Sequence, residues 1–164
     1  MNFNAATKEI SLLWSDILWG YNNRYLGWVD VVNFAKEQLV DEKQNELIAE
    51  LSEITKSTVY KIKPLLEALS YQTAEADCSR KWLYIVLKDI FLRKNEFKDP
   101  LGEVEKIYED FEYPDEIESF VRYMPPTDGY DAEKHLHEEN ITRLYYNWEK
   151  FLNDKQKKYS DVPV

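Results

Sequence analysis

The stretch KWLYIVLKDIFLR, Lys81 to Arg93, decides the fold. Trp82, Leu83, Ile85, Val86, Leu87, Ile90, Phe91 and Leu92 leave it almost no polar side, and a helix apolar nearly all round needs neighbours nearly all round. It contains Lys88 and Asp89 and is far too short to span a bilayer. Glycine is scarce and proline sparse, which disfavours a β-sandwich with many tight turns. The expectation is an all-α, single-domain multi-helix bundle over residues 1–159, with this segment as its central apolar helix and 160–164 as a disordered tail. Asp89 sits inside the apolar run with Arg93 one turn on, so a structural carboxylate paired to that arginine is expected.

Before this segment, apolar residues recur at helical spacing three times. Ile10, Leu13, Trp14, Ile17 and Leu18 predict a helix from Ala5 to Trp19. Trp28, Val31, Val32, Ala35 and Leu39 predict one from Trp28 to Glu42, and Leu47, Leu51 and Ile54 a short one from Glu46 to Ile54. Val59, Ile62, Leu65, Leu66 and Leu69 also suit a helix, but Pro64 leaves two readings: a start near Lys63 or a bent helix running through. Thr58 to Ile62 is β-prone as well.

After the central segment, Asp99-Pro100 reads as an N-cap followed by proline at the first helical position, with Leu101, Val104, Ile107, Tyr108 and Phe111 as the buried stripe. Pro114 opens a second short helix with Ile117, Phe120, Val121 and Met124 inward, ended by Pro125-Pro126. Thr127 to Asp131 reads as a turn. A last helix, Glu138 to Lys155, turns Ile141, Leu144, Tyr145, Trp148 and Leu152 inward, and Lys155, Lys157 and Lys158 complement its dipole.

The 164 residues suffice for one domain with a real core, and five Trp and twelve Tyr predict ring-rich packing. Cys78 is the only cysteine, which excludes an internal disulfide and fits a reducing compartment. MNFNAATKEI lacks the basic and apolar regions of a signal peptide, so a cytoplasmic location is expected.

The net charge of −10 is unevenly placed. Residues 99–139 hold fourteen Asp and Glu against Lys106, Arg122 and Lys134, which leaves the rest of the chain close to neutral. Such a field repels nucleic acid and anionic membrane and attracts a basic partner. The outward-facing residues of this segment are the candidate partner-binding set: Glu105, Glu109, Glu112, Tyr113, Asp115, Glu118, Arg122, Tyr123, Asp128 and Tyr130. Carboxylates would speed encounter and aromatics would supply anchors. Glu105 and Glu109 stand four apart on the solvent side, and Glu118 to Arg122 is a favourable i,i+4 pair. The competing reading is a solubilising surface with no partner.

His135-Leu136-His137 beside Glu138 and Glu139 resembles a metal site only superficially, because residues two apart on a helix diverge and nothing completes a ligand set. The EF-hand, P-loop and dinucleotide-binding patterns are absent. Cys78 has no adjacent histidine and reads as a packed thiol rather than a nucleophile. No cofactor, metal or catalytic residue is therefore expected.

KDPLGEVEKIYEDFEYPDEIESFVRYMPP, followed by the helix bearing LYYNW, resembles a bacterial family of small proteins described only as a domain of unknown function. LGWVDVVNFA and KWLYIVLKDI are compatible with the same family, so the resemblance covers most of the chain; FEYPDEIESFVRYMPP is its specific part. Members of that family occur near secreted polymorphic toxins, which implies immunity proteins, and the resemblance carries no catalytic residues. The leading expectation is an immunity-type protein that neutralises a cognate toxin through an acidic face. Two alternatives from other classes stay open: an enzyme with an unrecognised acidic or metal-dependent site, and a cytosolic helical adaptor.

Overall fold

The computed structural model describes residues 1–39, 45–71 and 77–160. Within them the α-helices are α1 (Phe3–Thr7), α2 (Trp14–Asn22), α3 (Trp28–Gln38), α4 (Glu46–Ser52), α5 (Ile62–Ser70), α6 (Cys78–Leu92), α7 (Pro100–Asp110) and α8 (His137–Ser160). Short 3-10 turns occupy Val59–Lys61, Lys94–Glu96, Asp115–Phe120 and Ala132–Lys134. No strand occurs among the described residues, and the fold is all-α. The chain forms two compact units, residues 12–82 and residues 1–11 with 83–164.

Side chains decide where α1, in the unit of residues 1–11 and 83–164, and α2 and α3, in the unit of residues 12–82, begin. The expected single helix from Ala5 to Trp19 is two helices instead. Asn2 accepts from the Ala5 N–H and starts α1, while Asp16 reaches back to the Leu13 N–H at 2.8 Å and starts α2. An acid three positions into a helix satisfies one of its orphan donors in this way. Asp30 does the same for Gly27 at the start of α3. The expected end of that helix at Glu42 lies outside the described residues. Pro64 falls in the first turn of α5, where a missing N–H costs nothing, so the early-start reading holds and the bent helix does not. Thr58 to Ile62 is a 3-10 turn running into α5 rather than an extended piece.

The core of the unit of residues 12–82 is formed by Ile17, Val31, Ala35, Leu51, Ile62, Leu66 and Leu69, all fully buried. Trp82 stacks with Trp19 and Tyr25 at centroid distances of 6.1 and 5.4 Å and donates its indole N–H to the Asp16 carbonyl. Gly20 makes room for that ring: a Cβ there would lie 2.0 Å from a Trp82 ring carbon. The Asp16 carboxylate is fully buried and pairs with the buried Lys81 ammonium at 2.6 Å.

α6 is buried from Trp82 to Leu87 as its composition predicts, but its C-terminal end is not: Phe91 is half-buried and Leu92 is 52% exposed. In the unit of residues 1–11 and 83–164, Asp89 accepts from the Asn2 N–H at 2.7 Å and lies 3.4 Å from Arg93. α7 starts as expected: Asp99 accepts from the Gly102 N–H and Pro100 occupies the first turn. α8 carries Trp148, whose ring meets Phe91 at 5.1 Å and Phe120 at 6.1 Å. It extends beyond the expected Lys155 to Ser160, and 161–164 of the expected tail lie outside the described residues.

The segment after Pro114 departs from expectation. It is a 3-10 turn that stops at Phe120, and Val121 is already extended, rather than a helix running to Pro125. Its backbone is held from α8, where Asn147 donates to the Ser119 carbonyl at 2.8 Å and Lys155 pairs with Glu116. Ile117, Phe120 and Val121 are buried as predicted, whereas Met124 is only half-buried.

Candidate functional site

The candidate residues all lie in the unit that contains α7 and α8. α7 ends in a Schellman turn: the Glu112 N–H donates to the Glu109 carbonyl at 3.0 Å and the Tyr113 N–H to the Tyr108 carbonyl at 2.8 Å. This turn requires a left-handed residue just past the helix, a place usually given to glycine. Glu112 takes it with φ +59°, and Tyr113 follows with φ +60°. Left-handed backbone costs a residue with a Cβ about 1–2 kcal/mol.

The turn lays the Tyr113 ring against Tyr108 at 5.2 Å with an 82° interplanar angle. Tyr123, beyond the 3-10 turn, approaches the same ring at 6.2 Å. Tyr108 is buried and donates its hydroxyl to Glu118 at 3.1 Å, whereas Tyr113 and Tyr123 remain 59% and 55% exposed. Burial raises the Tyr108 pKa, helped by the hydrogen bond to Glu118 and then by charge from Glu118 and Asp115. Burial also raises that of Tyr123, followed by Glu109, Tyr113 and Glu105. The Tyr108 and Tyr123 phenols thus sit in a field of carboxylates.

Those carboxylates divide by what they do. Arg122 takes Glu105 through Nε and Nη2 at 2.8 and 2.9 Å, and Asp99 through Nη1 and Nη2 at 3.1 and 2.8 Å. The hydrogen bonds that Asp99 accepts from Arg122 and the Gly102 N–H lower its pKa, and those that Arg122 donates to Glu105 and Asp99 raise that of Arg122. Glu105 is therefore an engaged group rather than a free solvent-side acid. The expected Glu118–Arg122 pair does not form, because the chain leaves helical geometry at Val121 and the i,i+4 relation is lost. Glu118 instead accepts from Tyr108. Among the described residues no ion pair engages Glu109, Asp110, Glu112 or Asp115, and all four are exposed.

Asp128 and Tyr130 belong to a second cluster. Arg143 of α8 pairs with Asp128 at 2.6 Å and lies 4.2 Å from the centre of the Tyr130 ring. Tyr130 donates to Asn140 and stacks with His135 at 4.6 Å. The hydrogen bond from Arg143, then that from the Tyr130 N–H, lowers the Asp128 pKa. A cavity of about 230 Å³ adjoins both clusters, lined by Glu118, Arg122 and Tyr130 with Met124, Pro125, Ile141 and Leu144. Asp99, Tyr108 and Arg143 were not singled out as site residues from sequence. An N-cap aspartate has a second oxygen to offer a cation, which is the signal that would have marked Asp99.

Burial, followed by the charge of Asp16, pushes the Cys78 thiol up to about 11, so little thiolate exists near neutrality. Among the described residues no group of three or more His, Cys, Asp or Glu is placed to hold a metal ion. No described helix is long and apolar enough to cross a membrane.

A family described as an uncharacterized protein conserved in bacteria (DUF2247) matches residues 3–156, and the chain belongs to it. No curated protein and no solved structure matches the chain.

Proposed function

We propose that this chain is an immunity-type binding protein of the bacterial cytoplasm, which neutralises a cognate toxin by covering it rather than by catalysis. The observation that carries this reading is the C-terminal end of α7. There Tyr113 and Tyr123 stand exposed among Glu109, Asp110, Glu112 and Asp115, four carboxylates that no cation of the described chain engages. Exposed aromatics ringed by unpaired charge suit an interface, with the rings as desolvated anchors and the acids steering a basic partner. The left-handed backbone at Glu112 and Tyr113 adds weight, since local strain concentrates where a side chain must be presented. The resemblance carried by FEYPDEIESFVRYMPP falls on this same stretch.

A toxin that acts on nucleic acid carries a basic surface, and an acidic inhibitor can occlude it with fast association. On this reading the partner is that toxin, not nucleic acid or membrane. The test is co-purification with, and protection against, the toxin encoded beside this gene. Combining Glu109→Gln, Asp110→Asn, Glu112→Gln and Asp115→Asn is expected to slow association about tenfold or more at low salt and to flatten its salt dependence. A chain that neither binds nor protects removes the proposal.

A further inference from the structure

The Tyr130 cluster is complete: an aromatic ring, a carboxylate and a guanidinium, with Arg143 held by Asp128 while lying 4.2 Å from the ring centre. Arg122, forked between Asp99 and Glu105, is a second guanidinium held by carboxylates of this same surface. The Tyr108–Tyr113–Tyr123 cluster has the same aromatic and acidic parts, and among the described residues no cation lies over its rings. Its two outer rings each meet Tyr108 and are more than half exposed, and Glu109 and Asp115 act electrostatically on its phenols.

From this we infer that Tyr108, Tyr113 and Tyr123, with Glu109 and Asp115, form a receptor for an arginine side chain presented by a partner protein. The inference rests on the binding role proposed above and names the group that is bound. A guanidinium suits the site because it lies flat on an aromatic face while its edge donates to carboxylates, and it is more weakly hydrated than an ammonium. The fixed geometry favours capture: Tyr108 is anchored by Glu118, and the Schellman turn holds Tyr113 in place before any ligand arrives.

The probe is an acetylated, amidated Gly-Arg-Gly peptide, titrated into the full chain and followed by amide NMR shifts. Its control is the same peptide with citrulline, which keeps the shape and removes the charge. Saturable shifts centred on Glu109, Tyr113, Asp115 and Tyr123 are expected for the arginine peptide, with affinity lower by about tenfold for citrulline. Tyr113→Leu with Tyr123→Leu, which keeps apolar area and loses the ring face, is expected to weaken the arginine peptide similarly; Tyr113→Phe with Tyr123→Phe should retain it. Equal response to both peptides, or arginine-induced shifts spread over the whole acidic surface, overturns the inference. So does a change in sedimentation of the protein alone on the leucine substitutions, which would assign the tyrosines to a second copy of this chain. Arginine capture without toxin protection would sink the immunity reading and leave the receptor standing. Toxin binding by a chain indifferent to arginine would do the reverse.

Discussion

Arg122 donates to both carboxylate oxygens of Asp99, at 3.1 and 2.8 Å, across 23 residues of sequence. Asp99 is also the N-cap of α7, accepting from the Gly102 N–H at 3.1 Å. One carboxylate therefore starts the helix and fastens the strand-like exit of the following 3-10 turn to it. Glu105, one turn into α7, grips the same guanidinium. The result removes two acids from the exposed field, while among the described residues Glu109, Asp110, Glu112 and Asp115 at the end of α7 keep no ion pair.

The Asp99 pKa is lowered from its ordinary value of 3.8. A depressed carboxylate contributes stability at pH above its unfolded value, and that contribution disappears as pH falls through the folded value. Arg122→Gln is expected to return the Asp99 titration toward the ordinary range and to weaken the pH dependence of stability below about 4. Carboxyl-carbon NMR titration of both proteins checks the shift, and acid titration of the melting temperature checks the linkage.

Glu112 stands where a Schellman turn favours glycine. Glu112→Gly is expected to stabilise the fold by about 1 kcal/mol by relieving left-handed strain, less the added freedom of the unfolded chain. Urea denaturation measures this directly. A loss of stability would mean that the Glu112 side chain makes a contribution larger than the strain.

Gly20 touches the Trp82 ring so closely that a Cβ would overlap three ring carbons. Gly20→Ala is expected to cost about 2–3 kcal/mol, the scale of overpacking a tight core. Trp82→Phe in the same chain should recover part of that loss, although it gives up the indole bond to Asp16. The coupling between the two substitutions, measured by urea denaturation, separates a ring clash from a helix-propensity effect.

Lys81→Met leaves the Asp16 carboxylate buried without its cation, which is expected to cost about 3–5 kcal/mol. Adding Asp16→Asn should reduce the loss, because no uncompensated charge remains while a backbone cap is still available. If the double substitution is worse than the single, the Asp16 carboxylate contributes through its bond to the Leu13 N–H more than its unpaired charge costs.

With its pKa pushed up to about 11, Cys78 is expected to react with iodoacetamide at pH 8 far more slowly than a free thiol. Its reactivity should rise steeply only as pH approaches that value. Mass spectrometry of timed alkylation, native against urea-unfolded, gives the ratio.

Much of the fold was legible in residue spacing. The burial of Trp82 to Leu87 in α6, the Asp99-Pro100 start of α7, the burial of Trp148 and Leu152 in α8 (where Ile141, Leu144 and Tyr145 are half-buried) and the all-α class follow from periods and caps that act within a few residues. The break between α1 and α2 was not legible, because Ile10 keeps helical spacing with Leu13, Trp14, Ile17 and Leu18 although it lies in the gap; Asn2 and Asp16 decide it by capping separate helices. The 3-10 turn after Pro114 was hidden for a similar reason: its apolar pattern suits a helix, and bonds from Asn147 and Lys155 on α8 hold another shape.

Sequence by itself determined that the chain is helical, that its acids are collected in residues 99–139, and that residues such as Val31, Val104 and Trp148 turn inward. Those properties depend on composition and local period. Only the tertiary structure decided which acids are spent and which are free. Arg122 reaches Glu105 across 17 residues and Asp99 across 23, and Lys155 reaches Glu116 across 39. No period encodes such pairings, since each is selected by the distance and direction of side chains after the helices have packed. Within the acidic segment the end of α7 thereby stands out, where two exposed tyrosines lie among four carboxylates that no ion pair engages among the described residues.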